Sequence, residues 1–160
     1  MANTPILTLT SDIAQKIRAH GAETYPYECC GALLGRDLDV APSSSEGANQ
    51  SSREIIALFP LVNRRDDSPR NRFSVTSDDV RDAEKAAREK GIDVVGWYHS
   101  HPDHPAKPSE FDREHAWPWY SYIIVSVANA EAENMTSWRL SDDREQMTPE
   151  ELEIRQNANA

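Results

Sequence analysis

The sequence predicts a single α+β sheet domain, and three observations carry that prediction. At 160 residues the chain suits one domain of ordinary size with material for a hydrophobic core. Stretches with strand chemistry are mixed with stretches of helical periodicity, and several strand-like stretches are neighbours in sequence. No internal repeat and no second-domain linker interrupts them.

Ile6, Leu7 and Leu9 form a short opening strand. Thr10 or Ser11 caps a helix to about Ala22, with Asp12 favourably placed in the first turn and Ile13, Ala14 and Ile17 along one apolar stripe. Gly21 and Pro26 break that pattern, and Cys29 to Leu34 reads as a buried strand ending at Gly35. Ala41 to Arg53 has no periodicity and is expected to be a surface loop. Glu54 to Val62 returns to strand chemistry, and Asn63 to Arg72 is a polar loop. Phe73 and Val75 suggest a brief strand, then Ser77 caps a helix to about Lys90 that Gly91 stops. Ile92 to His101 is a core strand, Ser109 to about His115 a short helix, and Tyr122 to Val127 and Met135 to Leu140 two more strands. Thr148-Pro149-Glu150-Glu151 combines a cap, Pro at the first helical position and Glu at the third, so a short terminal helix is expected.

Composition excludes several classes of function. Lys and Arg number 17 against 27 Asp and Glu, a formal charge of -10, which disfavours nucleic acid or an anionic membrane as the main partner. No apolar run approaches the ~20 residues of a membrane span, and the first residues lack the pattern of a signal peptide. Cys29 and Cys30 are adjacent and would close almost no loop as a disulfide, so a reduced, cytoplasmic protein is expected.

The informative stretch is Trp97-Tyr98-His99-Ser100-His101-Pro102, followed by Ser109 and Asp112. On a strand, residues two apart share a face, so His99 and His101 project together with Cα atoms about 6.6 Å apart, while Ser100 faces the other way. A chain reversal through Pro102, Pro105 and Pro108 can return Asp112 to them. Two His and one carboxylate leave a tetrahedral zinc one open position, the pattern of a catalytic site. Such a site needs a proton shuttle, and spacing leaves Glu23, Glu28, Glu110 and Glu114 all open.

Counted from His99-Ser100-His101, seven residues lead to Ser109, and two more to Asp112. This spacing resembles the signature of the JAMM (MPN-plus) zinc metallopeptidases, in which a Glu precedes His-Ser/Thr-His, seven residues, Ser, two residues and Asp. The family's Glu stands before an apolar strand ending in Gly, matched by Glu28 before Cys29-Cys30-Gly31-Ala32-Leu33-Leu34-Gly35. The flanks Val94-Val95-Gly96-Trp97-Tyr98 and Ser121-Tyr122-Ile123-Ile124-Val125 are similar to those of compact bacterial members, and the resemblance runs from about Tyr25 to Leu140.

The resemblance implies one MPN/JAB-like domain over residues 1–143, a mixed β-sheet flanked by helices, with 144–160 a short C-terminal helix and tail. It implies that His99, His101 and Asp112 bind Zn2+, that Glu28 moves the proton, and that Ser109 donates to the oxyanion of the tetrahedral intermediate. Compact members are associated with small ubiquitin-like sulfur-carrier proteins, acting at the bond after a C-terminal Gly-Gly. No long insertion here resembles the ubiquitin-gripping segments of the eukaryotic deubiquitinases.

Plainer readings stand beside these. Ser109-Glu110-Phe111-Asp112 also fits a capping box, and both roles can coexist because a capped turn orients Asp112. His104 reads as a solvated loop residue and His115 as a helix residue, with a role beside a metal as the sharper alternative for each. Cys29 and Cys30 read as small core or interface residues, and Trp97, Trp117, Trp119 and Trp138 as core and rim packing. Arg64, Arg65, Arg70 and Arg72 enclose Asp66 and Asp67; they form a solvated loop or, on the sharper hypothesis, a grip for an acidic carrier protein. The alternative class of function is a noncatalytic MPN-type scaffold, whose members typically lack a ligand that this chain retains. A zinc base deaminase would need His-x-Glu and Pro-Cys-x-x-Cys, and neither occurs.

Overall fold

A computed structural model describes residues 5–38, 52–62 and 75–156. The element order is β1 (Ile6–Thr10), α1 (Ser11–Thr24), β2 (Cys30–Leu38), β3 (Ser52–Leu61), α2 (Ser77–Glu89), β4 (Asp93–Pro102), α3 (Glu110–His115), β5 (Ser121–Ala128), β6 (Glu131–Leu140) and β7 (Met147–Arg155). Most of the loop expected at Ala41 to Arg53, the four arginines of the Arg64 to Arg72 cluster, and Phe73 lie outside the described residues. Val75 is described and is not in a strand.

The helices start where side-chain acceptors allow. Thr10 Oγ1 accepts the Ile13 N–H at 3.3 Å, and Thr76, one residue before the expected cap, forms a capping box with Asp79. Lys90 closes α2, and Gly91 turns the chain at φ +71, a left-handed value that glycine adopts without a Cβ penalty.

The sheet is mixed, as expected, but it is not an open layer flanked by helices. It closes as a barrel in the order β1-β3-β2-β4-β5-β6-β7. The strand responsible is β7, where a terminal helix was expected. Its first half runs antiparallel to β6 and its second half parallel to β1. Two ladders and a buried Glu150, bound to Ser137 Oγ (2.7 Å) and Arg139 Nε (2.6 Å), outweigh the local helix-start signal. Pro149 falls in the half paired only with β6, so its missing N–H can face away from the ladder.

Two apolar clusters hold the barrel. Ile13, Ala14 and Ile17 of α1 pack with Leu7, Leu9, Leu33, Ile55, Ile123 and Val125. α1 packs against β1 and β3 to β7, with Leu33 of β2 in the same apolar cluster. On the other side Ala83 and Ala87 of α2 pack with Ala32, Leu34, Trp97 and Tyr122. Gly31 lets the two central strands meet: the Tyr98 ring lies across it, and a Cβ there would stand 2.3 Å from a ring carbon.

Arg53 corrects the loop boundary. It belongs to β3 and is 1% exposed, with Nε 2.7 Å from Asp37 Oδ1 and Nη1 bonded to Val95 O, Trp119 O and Ser121 Oγ. Ser121 Oγ in turn donates to Glu150 Oε2 (3.2 Å), so one polar chain links β2, β3, β5 and β7.

Candidate active site

The site lies at the C-terminal end of β4, between β2 and β5. Strand alternation points His99 and His101 to one face, as expected, and both are buried. Ser100 points oppositely and has a job the sequence did not suggest. Its Oγ accepts the Cys29 N–H at 2.8 Å while its own N–H donates to Cys29 O at 3.2 Å, clamping the start of β2 against β4. Cys30 pairs with His99, and the same register carried two residues back sets Glu28 opposite His101.

Asp112 arrives from α3. Ser109 Oγ accepts the Asp112 N–H at 3.0 Å, and Asp112 Oδ2 accepts the Ser109 N–H at 2.9 Å. The capping box is therefore present, and it is what aims the carboxylate. Asp112 Oδ1 lies 3.2 Å from His99 Nε2 and Oδ2 lies 3.1 Å from His101 Nε2, while the two Nε2 atoms are 3.1 Å apart. These three side chains form a group able to hold a metal ion.

The donor set fits such an ion. His101 Nδ1 lies 2.9 Å from the Pro105 carbonyl, which can only accept, so Nδ1 carries the proton and neutral Nε2 presents its lone pair. That lone pair faces a carboxylate oxygen and a second imidazole nitrogen, an arrangement that calls for a cation among them. A tetrahedral ion with ligand bonds of about 2.0 Å has ligand–ligand edges of about 3.3 Å, close to the observed separations. The Pro105 carbonyl orients one ligand ring, and the sequence holds no signal for it.

Electrostatics separate the two carboxylates. Burial works against the Asp112 charge, but the neighbouring His99 and His101 rings and the Ser109 N–H prevail and hold its pKa well below the usual range. Burial pushes Glu28 the other way, to about 9, with the Asp112 charge adding to the effect. One acid is thus set to stay ionised and the other to hold a proton. Glu23, Glu110 and Glu114, the other shuttle candidates, are not buried as Glu28 is.

His104 and His115 are both exposed and outside the donor group; His115 stacks on Phe111 and approaches the Phe111 carbonyl at 2.9 Å. Cys29 and Cys30 are free and buried, and burial raises the Cys29 thiol to about 12, which removes it as a nucleophile. Trp97 is core, whereas Trp117 and Trp119 are largely exposed.

The family model described as prokaryotic homologs of the JAB domain matches residues 10–141. The chain belongs to that family. Haloferax volcanii desampylase is 32% identical over 125 residues, covering 75% of this chain and 80% of the relative. A CysO-cysteine peptidase of Mycobacterium tuberculosis is 27% identical over 138 residues, covering 86% and 84%. The solution structure of a Salinibacter ruber protein is 41% identical, covers 96% of this chain and 94% of its own, and superposes with a TM-score of 0.66. The metal-donor group of this JAB domain and Glu28 all fall inside the matched residues. No helix among the described residues is long and apolar enough to cross a membrane.

Proposed function

We propose that this JAB domain is a zinc-dependent peptidase or isopeptidase that cuts after the C-terminal Gly-Gly of a small ubiquitin-like sulfur-carrier protein. The observation that carries the hydrolytic reading is the pairing of a His99–His101–Asp112 donor group with a buried Glu28 on the neighbouring strand register. The substrate class draws on the family resemblance and on two relatives named desampylase and CysO-cysteine peptidase.

Three protein ligands of N and O type suit a catalytic zinc with an open position. When bound, zinc acidifies water and polarises a carbonyl. Glu28 takes up the water's proton on its carboxylate and passes it to the leaving nitrogen. The raised pKa of Glu28 suits the donating half of that cycle, and a cation beside it favours the ionised form that begins it. Ser109 uses its oxygen as an acceptor in the cap, which leaves its O–H to donate to an oxyanion. Two free thiols agree with a reducing compartment, and we assign the chain to the cytoplasm.

The test is incubation of metal-loaded protein with carrier-protein fusions, with and without chelator, read by intact mass. Cleavage after Gly-Gly that chelation stops and zinc restores is the expected outcome. Cleavage indifferent to chelator, or no cleavage of any Gly-Gly conjugate, would overturn the proposal.

A further inference from the structure

The segment 116–120, between α3 and β5, carries two indoles into solvent: Trp117 is 63% and Trp119 50% exposed. Neither is left loose. The Arg144 guanidinium lies 5.5 Å from the Trp117 ring centroid while its Nη2 donates to Ala116 O at 2.9 Å. The Trp117 backbone N–H donates to Tyr122 Oη at 2.8 Å. The Arg53 guanidinium lies 4.3 Å from the Trp119 ring centroid while its Nη1 donates to Trp119 O at 2.8 Å. Trp119 (φ 87) and Arg144 (φ 62) both hold left-handed backbone, which disfavours residues other than glycine and persists only where surrounding contacts enforce it. Ordinary surface aromatics need no such enforcement.

Trp117 and Trp119 line a groove of about 880 Å3 that also takes in Val80, Phe111, His99 and Asp112. The groove is thus continuous with the metal-donor group. Its orientation follows from β4, which presents Trp97, His99 and His101 in order along one face. The groove reaches Trp97 and His99 and does not include His101. Glu28 stands opposite His101, at the other end of the donor group. A group that protonates the leaving nitrogen must lie on the leaving-group side, so the groove lies on the acyl side.

We infer that Trp117 and Trp119 form a ledge that selects an apolar side chain on the acyl side of the scissile bond, with Arg53 and Arg144 as its positioning residues. The inference rests on the hydrolytic reading above for the direction of the substrate. The occupant is apolar because aromatic and aliphatic side chains make up most of the wall, with Glu114, His115 and Arg144 as polar exceptions, and a polar side chain set against the two indole faces would lose its water with no partner in the rings.

The test uses acetylated coumarin amides Ala-X-Gly-Gly and X-Ala-Gly-Gly, with X either Leu or Ser, on metal-loaded protein. At one of the two positions Leu should exceed Ser by about 10-fold or more in kcat/KM, expressed in KM rather than kcat. Peptides carrying the same exchange on the leaving side should show no such preference. Trp119→Ala and Trp117→Ala should each shrink the Leu/Ser ratio at unchanged metal content. Arg53→Lys keeps the charge but loses the flat guanidinium; it should shrink the ratio and shift tryptophan fluorescence, with no such shift in a Trp119→Ala background. If Arg53→Lys does not fold, the two tryptophan variants decide. Equal rates for Leu and Ser, a ratio that survives in both tryptophan variants, or a preference on the leaving side would overturn the ledge. If no peptide is cleaved, the free acids of the same peptides are titrated by fluorescence. Tighter Leu binding lost in Trp119→Ala then supports the ledge and counts against hydrolysis alone, and equal binding overturns the ledge.

Discussion

Replacing Glu28 with Gln separates a buried charge from the shape that holds it, and its effect can be worked from the structure. Glu28 is 3% exposed, and its pKa rises from 4.5 to about 9, first through burial and then through the Asp112 charge. A raised folded-state pKa means that the folded protein favours the protonated acid. The stability this contributes is full below pH 4.5 and is lost as the pH climbs to about 9. At 1.36 kcal/mol per pH unit, metal-free wild type at pH 7 gives up about 3 kcal/mol that a neutral Gln does not. Metal-free Glu28→Gln should therefore match wild type near pH 4.5 and exceed it increasingly toward pH 9, measured by urea unfolding after chelation. Added zinc should narrow the gap, because a cation beside Glu28 stabilises its charged form. The same variant should retain metal and lose about 10²–10⁴-fold in kcat. Parallel stability–pH curves for the two metal-free proteins would refute the buried-acid argument, and near-normal turnover in the zinc-loaded variant would refute the proton role.

Other outcomes follow from the same geometry. His99→Ala or Asp112→Ala should weaken metal binding strongly, and a His99→Ala/His101→Ala protein that still held stoichiometric zinc would reject the ligand set. Chelation should abolish activity and leave the far-ultraviolet circular dichroism intact, because the two apolar clusters stand without the metal. At Ser109, Gly retains most of a cap's worth while Ala costs about 1 kcal/mol, and both lack the hydroxyl. Equal losses on the order of 10²–10³ in kcat for both variants would mark an oxyanion donor, whereas a loss confined to Ser109→Ala, tracking its stability, would leave only the cap. Glu150→Ala should cost about 3–5 kcal/mol by denaturant unfolding, since it strips Arg139, Ser121 and Ser137 of a buried acceptor; a change within 0.5 kcal/mol, taken as about the range of neutral surface substitutions, would deny β7 its anchoring role.

What was legible in the sequence was local. The two-residue period brings His99 and His101 together, and Ser109 with Asp112 announces a capped turn; both devices stand in the structure. The glutamate was not legible in this way: four candidates were equal on spacing, and only the family pattern singled out Glu28. The failures were those where a distant partner decides. Thr148-Pro149-Glu150 carries a helix-start signal, but β1 and β6 offer it two ladders and Ser121, Ser137 and Arg139 claim Glu150. Arg53 looked like the end of a polar loop, yet its guanidinium is spent on residues from three other strands and on Trp119. Trp119 likewise reads as rim packing until the arginine behind it is known.

The seam between β1 and β7 sets a timetable for folding. β1 is made before β7, which lies some 140 residues later in the chain. At ~5–20 residues per second that interval is roughly 7–30 s. Throughout it, one edge of β1 has no ladder partner, and such an edge invites pairing with another nascent chain. The donor group and Glu28, confined to residues 28–112, are all synthesised before the barrel can shut. Joining the end of β7 to the start of β1 by a crossover linker of about a dozen residues, as a parallel pair requires, and opening the chain at the Asn129–Ala130 turn would make them neighbours in synthesis. Such a permutant covers the β1 edge early and moves the last-closing seam to β5–β6, so aggregation through the β1 edge should fall while refolding should be no faster than in the parent.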